Sequence, residues 1–485
     1  MSRWLCSAPS SALTKRREFV LQAHLLRHIE LHFNCELRGL MQRDDRHSAP
    51  AAIAPSDNAV RGGAPEAKYI DFDLLNRSIL FCVTLLVFWV SVHPFADPSA
   101  VAEVGAGDRG DTLIQVAFII LAGCCVGFCL SHDVHSFRPT ITPMLVVMAA
   151  WLVVSTLLSQ HPDLSTRRLV LQAIVFGIAL LMVQLPRDIA HFGALLAGCT
   201  LFVLALCYVG ILAEPTLSIH LPTDPIDTVA GWRGVFFHKN SAGAMMALFI
   251  YIGLFVARVN SAALGWSIIA SAAVFLVFAE AKTAIALLLC VLPLSSLILA
   301  IGSRGGRTTA SLGIVAGFSL ITVGSVFFEP VRNVLETVLP DPTFTGRTYI
   351  WSFIGDYLPD YGVTGYGFSA FWGSSEVAYG LTNAPEFVPL LHSGHNSYLD
   401  LAITLGLPGV TLVLAWAVLE PMWGLLPAPR GSQPYLIQLL FIRIWLFGLT
   451  LSCFESVLLE RNDPIWFTIL LSIFGLHHLS RRAVS

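Results

Sequence analysis

Twelve apolar runs, each about long enough to cross a membrane as a helix, dominate this sequence of 485 residues. The hydrocarbon core of a bilayer is about 30 Å thick, and an α-helix needs about 20 apolar residues to cross it. The runs are continuous rather than alternating, which excludes a transmembrane β-barrel. They lie near residues 78–96, 112–131, 140–159, 167–185, 190–213, 241–258, 262–279, 283–301, 310–328, 397–418, 436–454 and 464–480. The sequence therefore predicts an all-α polytopic membrane protein of about twelve transmembrane helices.

Composition agrees with this class and narrows the range of partners. Hydrophobic residues make up 55% of the chain and charged residues 13%, against roughly 25% charged residues in an average soluble domain. The net charge of −3 provides no basic surface, so we expect no nucleic-acid partner. Eight of the ten cysteines lie in apolar runs and no CxxC pair occurs, so neither a zinc site nor a disulfide framework is predicted.

The chain divides into four segments of different polarity. Residues 1–76 form a polar, arginine-rich tail without a signal-peptide pattern, which we expect in the cytoplasm. A first transmembrane bundle at 77–328 is followed by a hydrophilic loop at 329–396 and a second bundle at 397–485. Because cytoplasmic segments of membrane proteins are enriched in Lys and Arg, the basic tail fixes the orientation in a bacterial inner membrane. The large loop then faces the periplasm, and it is too long for a simple connection.

Four polar clusters lie at the predicted outer face, next to the ends of apolar runs. They are Gly231–Asn240, Glu280–Thr283, Gly346–Trp351 and His392–Asp400. The connection 455–463 lies at the same face and carries the charged residues Glu455, Glu460, Arg461 and Asp463. A charged side chain at membrane depth costs about 3 kcal/mol even on the lenient scale, so it tends to face a cavity or a partner.

The cations of these clusters predict an anion site. Arg233, Lys282 and Arg347, with Lys239 nearby, would suit a diphosphate, because guanidinium and ammonium groups form charge-assisted hydrogen bonds with phosphate. Two structural alternatives stay open. Lys282 could instead be satisfied by Glu280 or by the membrane interface, and Arg233 and Lys239 could be interfacial anchors.

Histidines of the fourth cluster are candidates for acid–base chemistry. A histidine near neutral pH can accept the proton of a hydroxyl nucleophile. His392 and His395 also form an HxxH pair, but the motif offers no third ligand, so no metal is predicted. The outer loops show no acidic cluster suited to Mg²⁺. The best candidates for such ligands, Asp356 and Asp360, are better interpreted as the solvated face of a helix.

The motifs resemble those of the O-antigen ligase/polymerase superfamily (the Wzy and WaaL type). The resemblance rests on HxxHNSYL at 392–399 followed by Gly406 and Gly409, on the Gly346–Trp351 segment, and on FHKN at 237–240. It covers about residues 220–410 by motif and the rest by topology. The HKN sequence, and a lysine at 282 where many members have arginine, resemble the exopolysaccharide polymerases of the ExoQ type most.

This resemblance implies a GT-C-like membrane fold and a metal-independent, inverting glycosyltransferase without a cofactor. The donor would be a glycan on undecaprenyl diphosphate, the acceptor a lipid-linked glycan or lipid A core, and a chain-length regulator a further partner beside the membrane lipid. His395 would orient or deprotonate the acceptor hydroxyl, and Arg233, Lys282 and Arg347 would bind the diphosphate. Five residues would support the site: Lys239, Asn240, His392, Asn396 and Tyr398.

One departure from the family pattern concerns the support of the histidine. Members often have glutamate where this chain has Thr404. If that glutamate supports the catalytic histidine, its role must pass to another residue or be dispensable in this chain. The resemblance also leaves polymerase and ligase open, although the HKN sequence and Lys282 favour a polymerase.

A transporter or flippase of lipid-linked glycans is the alternative from another class. Such proteins usually have related halves and charged sites near the bilayer midplane. Here the two halves are unlike and the polar residues gather in outer loops, which favours an enzyme.

Aromatic residues crowd the start of the large loop, and two roles are open for them. They could stack on sugar rings, or they could pack the loop onto the membrane interface, where Trp and Tyr are enriched. The residues are Tyr349, Trp351, Tyr361, Tyr366, Phe368 and Trp372.

Overall fold

The computed structural model of the chain describes residues 71–95, 112–131, 141–221, 229–372, 374, 377, 391, 393–426 and 428–482. The predicted tail lies outside the described residues except for its last six positions, so its cytoplasmic location stays a prediction. Within the first bundle the helices are α1 (Phe72–Val90), α2 (Thr112–Leu130), α3 (Pro143–Leu157), α4 (Pro162–Met182), α5 (Ile189–Ala213), α6 (Pro215–Ser218), α7 (Lys239–Val259), α8 (Ala262–Phe278), α9 (Lys282–Ala300), α10 (Arg304–Ile321) and α11 (Val323–Phe327).

The remaining elements belong to the loop and the second bundle. They are α12 (Glu329–Val338), α13 (Arg347–Tyr361), α14 (Ser397–Leu414), a π-helical turn (Ala415–Leu419), α15 (Glu420–Gly424), α16 (Gln433–Leu451) and α17 (Pro464–Arg482). Two short strands, β1 (Ile219–His220) and β2 (Gly231–Trp232), pair antiparallel between α6 and α7.

The twelve predicted apolar runs all coincide with helices, and the all-α class is confirmed. Among the described residues, eight helical stretches are long and apolar enough to cross a membrane. They begin at Phe72, Thr112, Pro162, Ile189, Lys239, Lys282, Ser397 and Gln433. Helices α3 and α8, and the apolar part of α17 (Pro464–Ser480), are apolar but shorter. The chain is therefore compatible with a multi-pass membrane protein, while the count of twelve spans stays a prediction.

Small residues bring the helices of the first bundle into close contact. Helices α7 and α8 run antiparallel, and a Cβ added at Gly265 would lie 2.4 Å from the backbone nitrogen of Ala257. A Cβ at Gly243 would lie 2.1 Å from the Cβ of Ala281, just before α9. Because lipid offers no hydrophobic drive for helix association, such close backbone packing supplies much of the interaction. It also places the start of α9 beside the first turn of α7.

The large loop has its own aromatic core on the N-terminal end of α14. Four of the predicted aromatic residues are buried in or beside it: Trp351, Tyr366, Phe368 and Trp372. The Trp351 indole donates to the carbonyl of Gly394 at 3.0 Å. These four rings therefore pack inside the protein rather than offering faces to a sugar. Tyr349, 63% exposed, differs from them.

Candidate active site

The carboxylate of Glu455 joins three polar side chains that come from distant parts of the chain. Its Oε1 atom accepts hydrogen bonds from Arg347 Nη2 at 2.5 Å and from Asn240 Nδ2 at 3.0 Å. Its Oε2 atom lies 2.9 Å from His395 Nδ1. Arg347, His395 and Asn240 were all predicted site residues, and the structure brings them together around a residue that was not.

Glu455 is ionised throughout the neutral range. Burial would raise the pKa of this carboxyl, but the Arg347 guanidinium and the His395 hydrogen bond outweigh it and hold the pKa at about 2. An ionised carboxylate can only accept hydrogen bonds, so His395 Nδ1 carries the proton. The lone pair of His395 is then on Nε2, on a side chain that is 38% exposed. This is the tautomer that a general base needs.

The backbone at His395 has φ of 49°, in the left-handed region, which is uncommon for residues other than Gly although His, Asn and Asp adopt it more often than most. Such strain persists only where the surroundings hold it, and it concentrates at functional sites. At His395, hydrogen bonds from the next two residues, Asn396 and Ser397, stabilise this backbone conformation. Asn396 Nδ2 donates to the carbonyl of Cys453 at 2.8 Å, and Ser397 Oγ donates to the carbonyl of Glu455 at 2.9 Å.

The HNSY sequence thus places the histidine and its carboxylate partner together. Asn396 also begins α14, where its side-chain oxygen accepts the N–H groups of Tyr398 and Leu399 at 3.1 Å. The Tyr398 hydroxyl donates to the carbonyl of Leu449 near the end of α16, at 2.8 Å. Asn396 and Tyr398 therefore support the site through the backbone that carries Glu455. His392, another predicted support, lies outside the described residues.

Three helices begin at the site with a basic first residue. They are α7 at Lys239, α9 at Lys282 and α13 at Arg347, and none of them has an acidic residue in its first turn. The N-terminus of a helix carries a partial positive charge, so a cation there is unfavourable by itself. A helix N-terminus with nearby cations is a site for an anion.

Packing shows that these helix ends converge. Asn240 of α7 and Arg347 of α13 share one oxygen of Glu455, and Ala281, directly before α9, packs on Gly243 one turn into α7. The N-terminus of α14, next to His395, is the fourth helix end at this place. The Arg347 guanidinium and the N-termini of these helices therefore lie near one another, and the Glu455 carboxylate is bound among them.

Lys282 is exposed, and its ammonium forms no hydrogen bond or ion pair with any residue in the described ranges. The pairing with Glu280 considered above is thus not seen. Glu280 has φ of 55°, again in the left-handed region. A strained turn therefore places a lysine at a helix N-terminus without a structural partner.

The side chains of Arg233 and Lys239 are buried and donate hydrogen bonds to backbone carbonyls. Arg233 is 1% exposed, and its Nη1 donates to the carbonyls of Phe236 and Phe237 at 3.2 and 3.1 Å. The Lys239 ammonium donates to the carbonyl of Val229. Both residues hold the segment before α7 in place. A direct role of Arg233 on a diphosphate stays a prediction.

Sequence reasoning missed Glu455 as a site residue, although it was noted among the charges of the 455–463 connection. Its contacts span 60 residues to His395 and 108 to Arg347. One signal bore on it: with Thr404 in place of the family's glutamate, a supporting role for the histidine had either to pass to another residue or to be dispensable. Thr404 itself lies about two turns into α14, and its hydroxyl donates to the carbonyl of Asp400 at 2.6 Å.

The described residues contain no group of three or more His, Cys, Asp or Glu side chains arranged to hold a metal ion. The HxxH pair cannot be assessed, because His392 is outside those ranges. No protein-family model matches the chain, and no curated protein matches it.

Proposed function

We propose that this chain is a membrane glycosyltransferase that takes a glycan from undecaprenyl diphosphate and transfers it, with inversion, to an acceptor hydroxyl. Its main activity is the polymerisation of lipid-linked repeat units in exopolysaccharide or O-antigen assembly. One observation carries the proposal: an ionised carboxylate orients His395, whose side chain is 38% exposed, at a place where helices with a basic first residue begin.

The histidine acts on the acceptor. His395 Nε2 takes the proton of the attacking hydroxyl while Glu455 holds the Nδ1 proton and stabilises the imidazolium that forms. The acceptor oxygen forms a bond to the anomeric carbon from the face opposite the diphosphate. The bond from that carbon to the diphosphate oxygen breaks, and undecaprenyl diphosphate leaves with the electron pair.

The cations act on the leaving group. Negative charge grows on the diphosphate as the glycosidic bond breaks, and fixed donors aimed at such charge lower the barrier by roughly 3 kcal/mol each. Lys282 and Arg347, together with the N-termini of α7, α9 and α13, are the groups placed for this role. A divalent cation often neutralises a leaving diphosphate, and these fixed positive groups supply the same stabilisation without one.

A GT-C-like fold and a periplasmic site in the bacterial inner membrane are part of this proposal. They are supported by the positive-inside interpretation of the tail and by the shared face at which α7, α9, α13 and α14 begin. The donor's lipid tail would lie in the bilayer beside the bundle, with its diphosphate at that face. A chain-length regulator remains the proposed protein partner.

Deleting the gene and sizing the glycans on undecaprenyl diphosphate by mass spectrometry tests the proposal. Accumulation of single repeat units at the periplasmic face supports a polymerase. Long polymers stranded on the carrier would support the second candidate, a ligase that transfers the glycan to lipid A core or protein. Single units protected from a periplasmic glycosidase would indicate a flippase, and an unchanged lipid-linked pool would contradict all three.

A further inference from the structure

Glu455 contacts both Arg347, the proposed phosphate-binding cation, and His395, the proposed base. Arg347 Nη2 is on one carboxylate oxygen at 2.5 Å, and His395 Nδ1 is on the other at 2.9 Å. The Arg347 and Glu455 side chains are only 14% and 19% exposed, so water screens this pair weakly. The negative charge of Glu455 is therefore shared by Arg347, His395 and the Asn240 amide in the absence of a donor.

A diphosphate and Glu455 compete for the same nitrogen of Arg347. A guanidinium binds phosphate best through two parallel N–H groups, and the two forks it can present are Nε with Nη2 and Nη1 with Nη2. Both forks use an N–H group of Nη2, and Glu455 already accepts one of the two N–H groups on that nitrogen. While this bond is present, the phosphate can use only the fork that contains the other Nη2 N–H, and it shares the guanidinium charge with a second anion. Release of Arg347 by Glu455 frees both forks and the full charge for the phosphate.

We propose that Glu455 is a positioning residue from which the donor's diphosphate displaces Arg347, leaving the carboxylate to His395. This inference rests on the proposed function. Once Arg347 has moved to the phosphate, the undivided charge of Glu455 holds the His395 N–H more strongly and stabilises the imidazolium that forms when Nε2 takes a proton. The donor binds more weakly than it would if Arg347 were not already held by Glu455. In return, proton transfer to His395 is faster in the donor-bound state than it would be if Glu455 still held Arg347.

Replacing the carboxylate by its neutral amide separates the two effects. In Glu455→Gln, Arg347 is no longer held by an anion and the site loses one negative charge. Undecaprenyl diphosphate should then bind about tenfold more tightly, a change that corresponds to about 1.4 kcal/mol. The kcat should fall about 100-fold or more, because His395 loses the group that orients it. A purely structural role predicts weaker binding together with the lower kcat.

The measurement uses the full chain in lipid nanodiscs, with undecaprenyl diphosphate as the binding probe. Turnover is followed with lipid-linked glycan extracted from cells that lack the gene. The tighter binding should disappear when the double variant Arg347→Met/Glu455→Gln is compared with Arg347→Met alone. Without Arg347 there is no cation for which the diphosphate and Glu455 compete. Glu336→Gln, the same change at an exposed residue of α12, is the matched control and should leave both constants within about twofold.

Each outcome decides one claim. Equal or weaker binding by Glu455→Gln, with a wild-type protein that binds the probe, overturns this inference and leaves the proposed function standing. A wild-type protein that neither binds undecaprenyl diphosphate nor consumes the lipid-linked glycan removes the proposed function, and the inference with it. If Glu455→Gln does not fold, Glu455→Asp replaces it, because the shorter side chain cannot reach Arg347 and His395 together.

Discussion

The carboxylate of Asp400 accepts the backbone N–H of Gly394 with both of its oxygens, at 3.1 Å each. Gly394 directly precedes the strained His395, so this contact fixes one side of the turn that presents the histidine. The same carboxylate accepts the Trp372 indole N–H at 2.7 Å and the Ser456 hydroxyl. Asp400 therefore connects the aromatic core of the large loop, the histidine turn and the connection that carries Glu455.

Replacing Asp400 by Ala should lower both stability and turnover. Each buried donor left without a partner costs roughly 1–3 kcal/mol, and the loosened turn should lower kcat more than it raises the KM for the donor. Thermal unfolding in detergent and steady-state kinetics measure the two effects. Unchanged kcat in a folded variant would show that this contact does not position His395.

Replacing Lys282 by Met should weaken the enzyme without weakening the protein. The ammonium has no partner in the described structure and stands at a helix N-terminus, so its loss should leave stability unchanged or raise it by about 0.3–1 kcal/mol. Loss of one charge-assisted contact to the diphosphate should lower kcat/KM roughly 10- to 100-fold. The matched control is Arg304→Met, which removes the basic first residue of α10 at the opposite face. Equal effects of both variants on kcat/KM would exclude a specific role for Lys282.

Replacing Arg233 by Met should have the opposite pattern. Its guanidinium satisfies the carbonyls of Phe236 and Phe237, and losing these bonds should lower the free energy of unfolding by roughly 1–3 kcal/mol. Chemical or thermal unfolding of the two variants, Arg233→Met and Lys282→Met, makes the comparison. A stable Arg233→Met protein with much weaker donor binding would instead mean that Arg233 turns to the diphosphate, as its sequence position suggested.

Stability should depend on pH through Asp463, whose side chain accepts the Trp466 N–H at 2.7 Å at the start of α17. Burial raises the pKa of Asp463 from its ordinary 3.8 to about 7. The folded protein thus binds this proton more tightly than the unfolded chain, so the contribution to stability is complete below pH 3.8 and is lost as pH rises through about 7. Glu455 acts in the opposite sense, but only between its ordinary pKa of 4.5 and about 2.

The unfolding temperature should therefore fall between about pH 5 and pH 7, and the fall should be smaller in Asp463→Asn. Thermal unfolding across this range, followed by tryptophan fluorescence, measures how steeply the unfolding temperature changes with pH in the wild type and in Asp463→Asn. An identical slope in the variant would assign the pH dependence to other groups.

Helix positions were predictable because the signal is local. An apolar run such as 241–258 must form a helix in a bilayer, and α7 (Lys239–Val259) extends it by a residue or two at each end. The polar ends of these helices were also visible as clusters at one face. Arg347, His395 and Asn240 could thus be identified from sequence as a group.

The partner that joins them could not be identified in this way. Glu455 is one of several charges in a short connection, and only the three-dimensional path of the chain distinguishes it from Glu460. Likewise, nothing in the sequence shows that the side chains of Arg233 and Lys239 end on backbone carbonyls, because loop carbonyls leave no residue pattern. Lys282, in contrast to Arg233 and Lys239, is exposed. The preceding residue, Ala281, packs on Gly243 and fixes the position of Lys282 at the surface.

The most direct test of the account is turnover by the purified protein and by His395→Asn in lipid nanodiscs. Asparagine tolerates the left-handed backbone at this position, so the variant should fold, and unfolding curves verify this. With lipid-linked glycan as substrate and a chelator present, the wild type should release undecaprenyl diphosphate and form a longer glycan. The variant should be slower by about 100- to 10,000-fold. A folded His395→Asn protein with wild-type turnover would contradict the account.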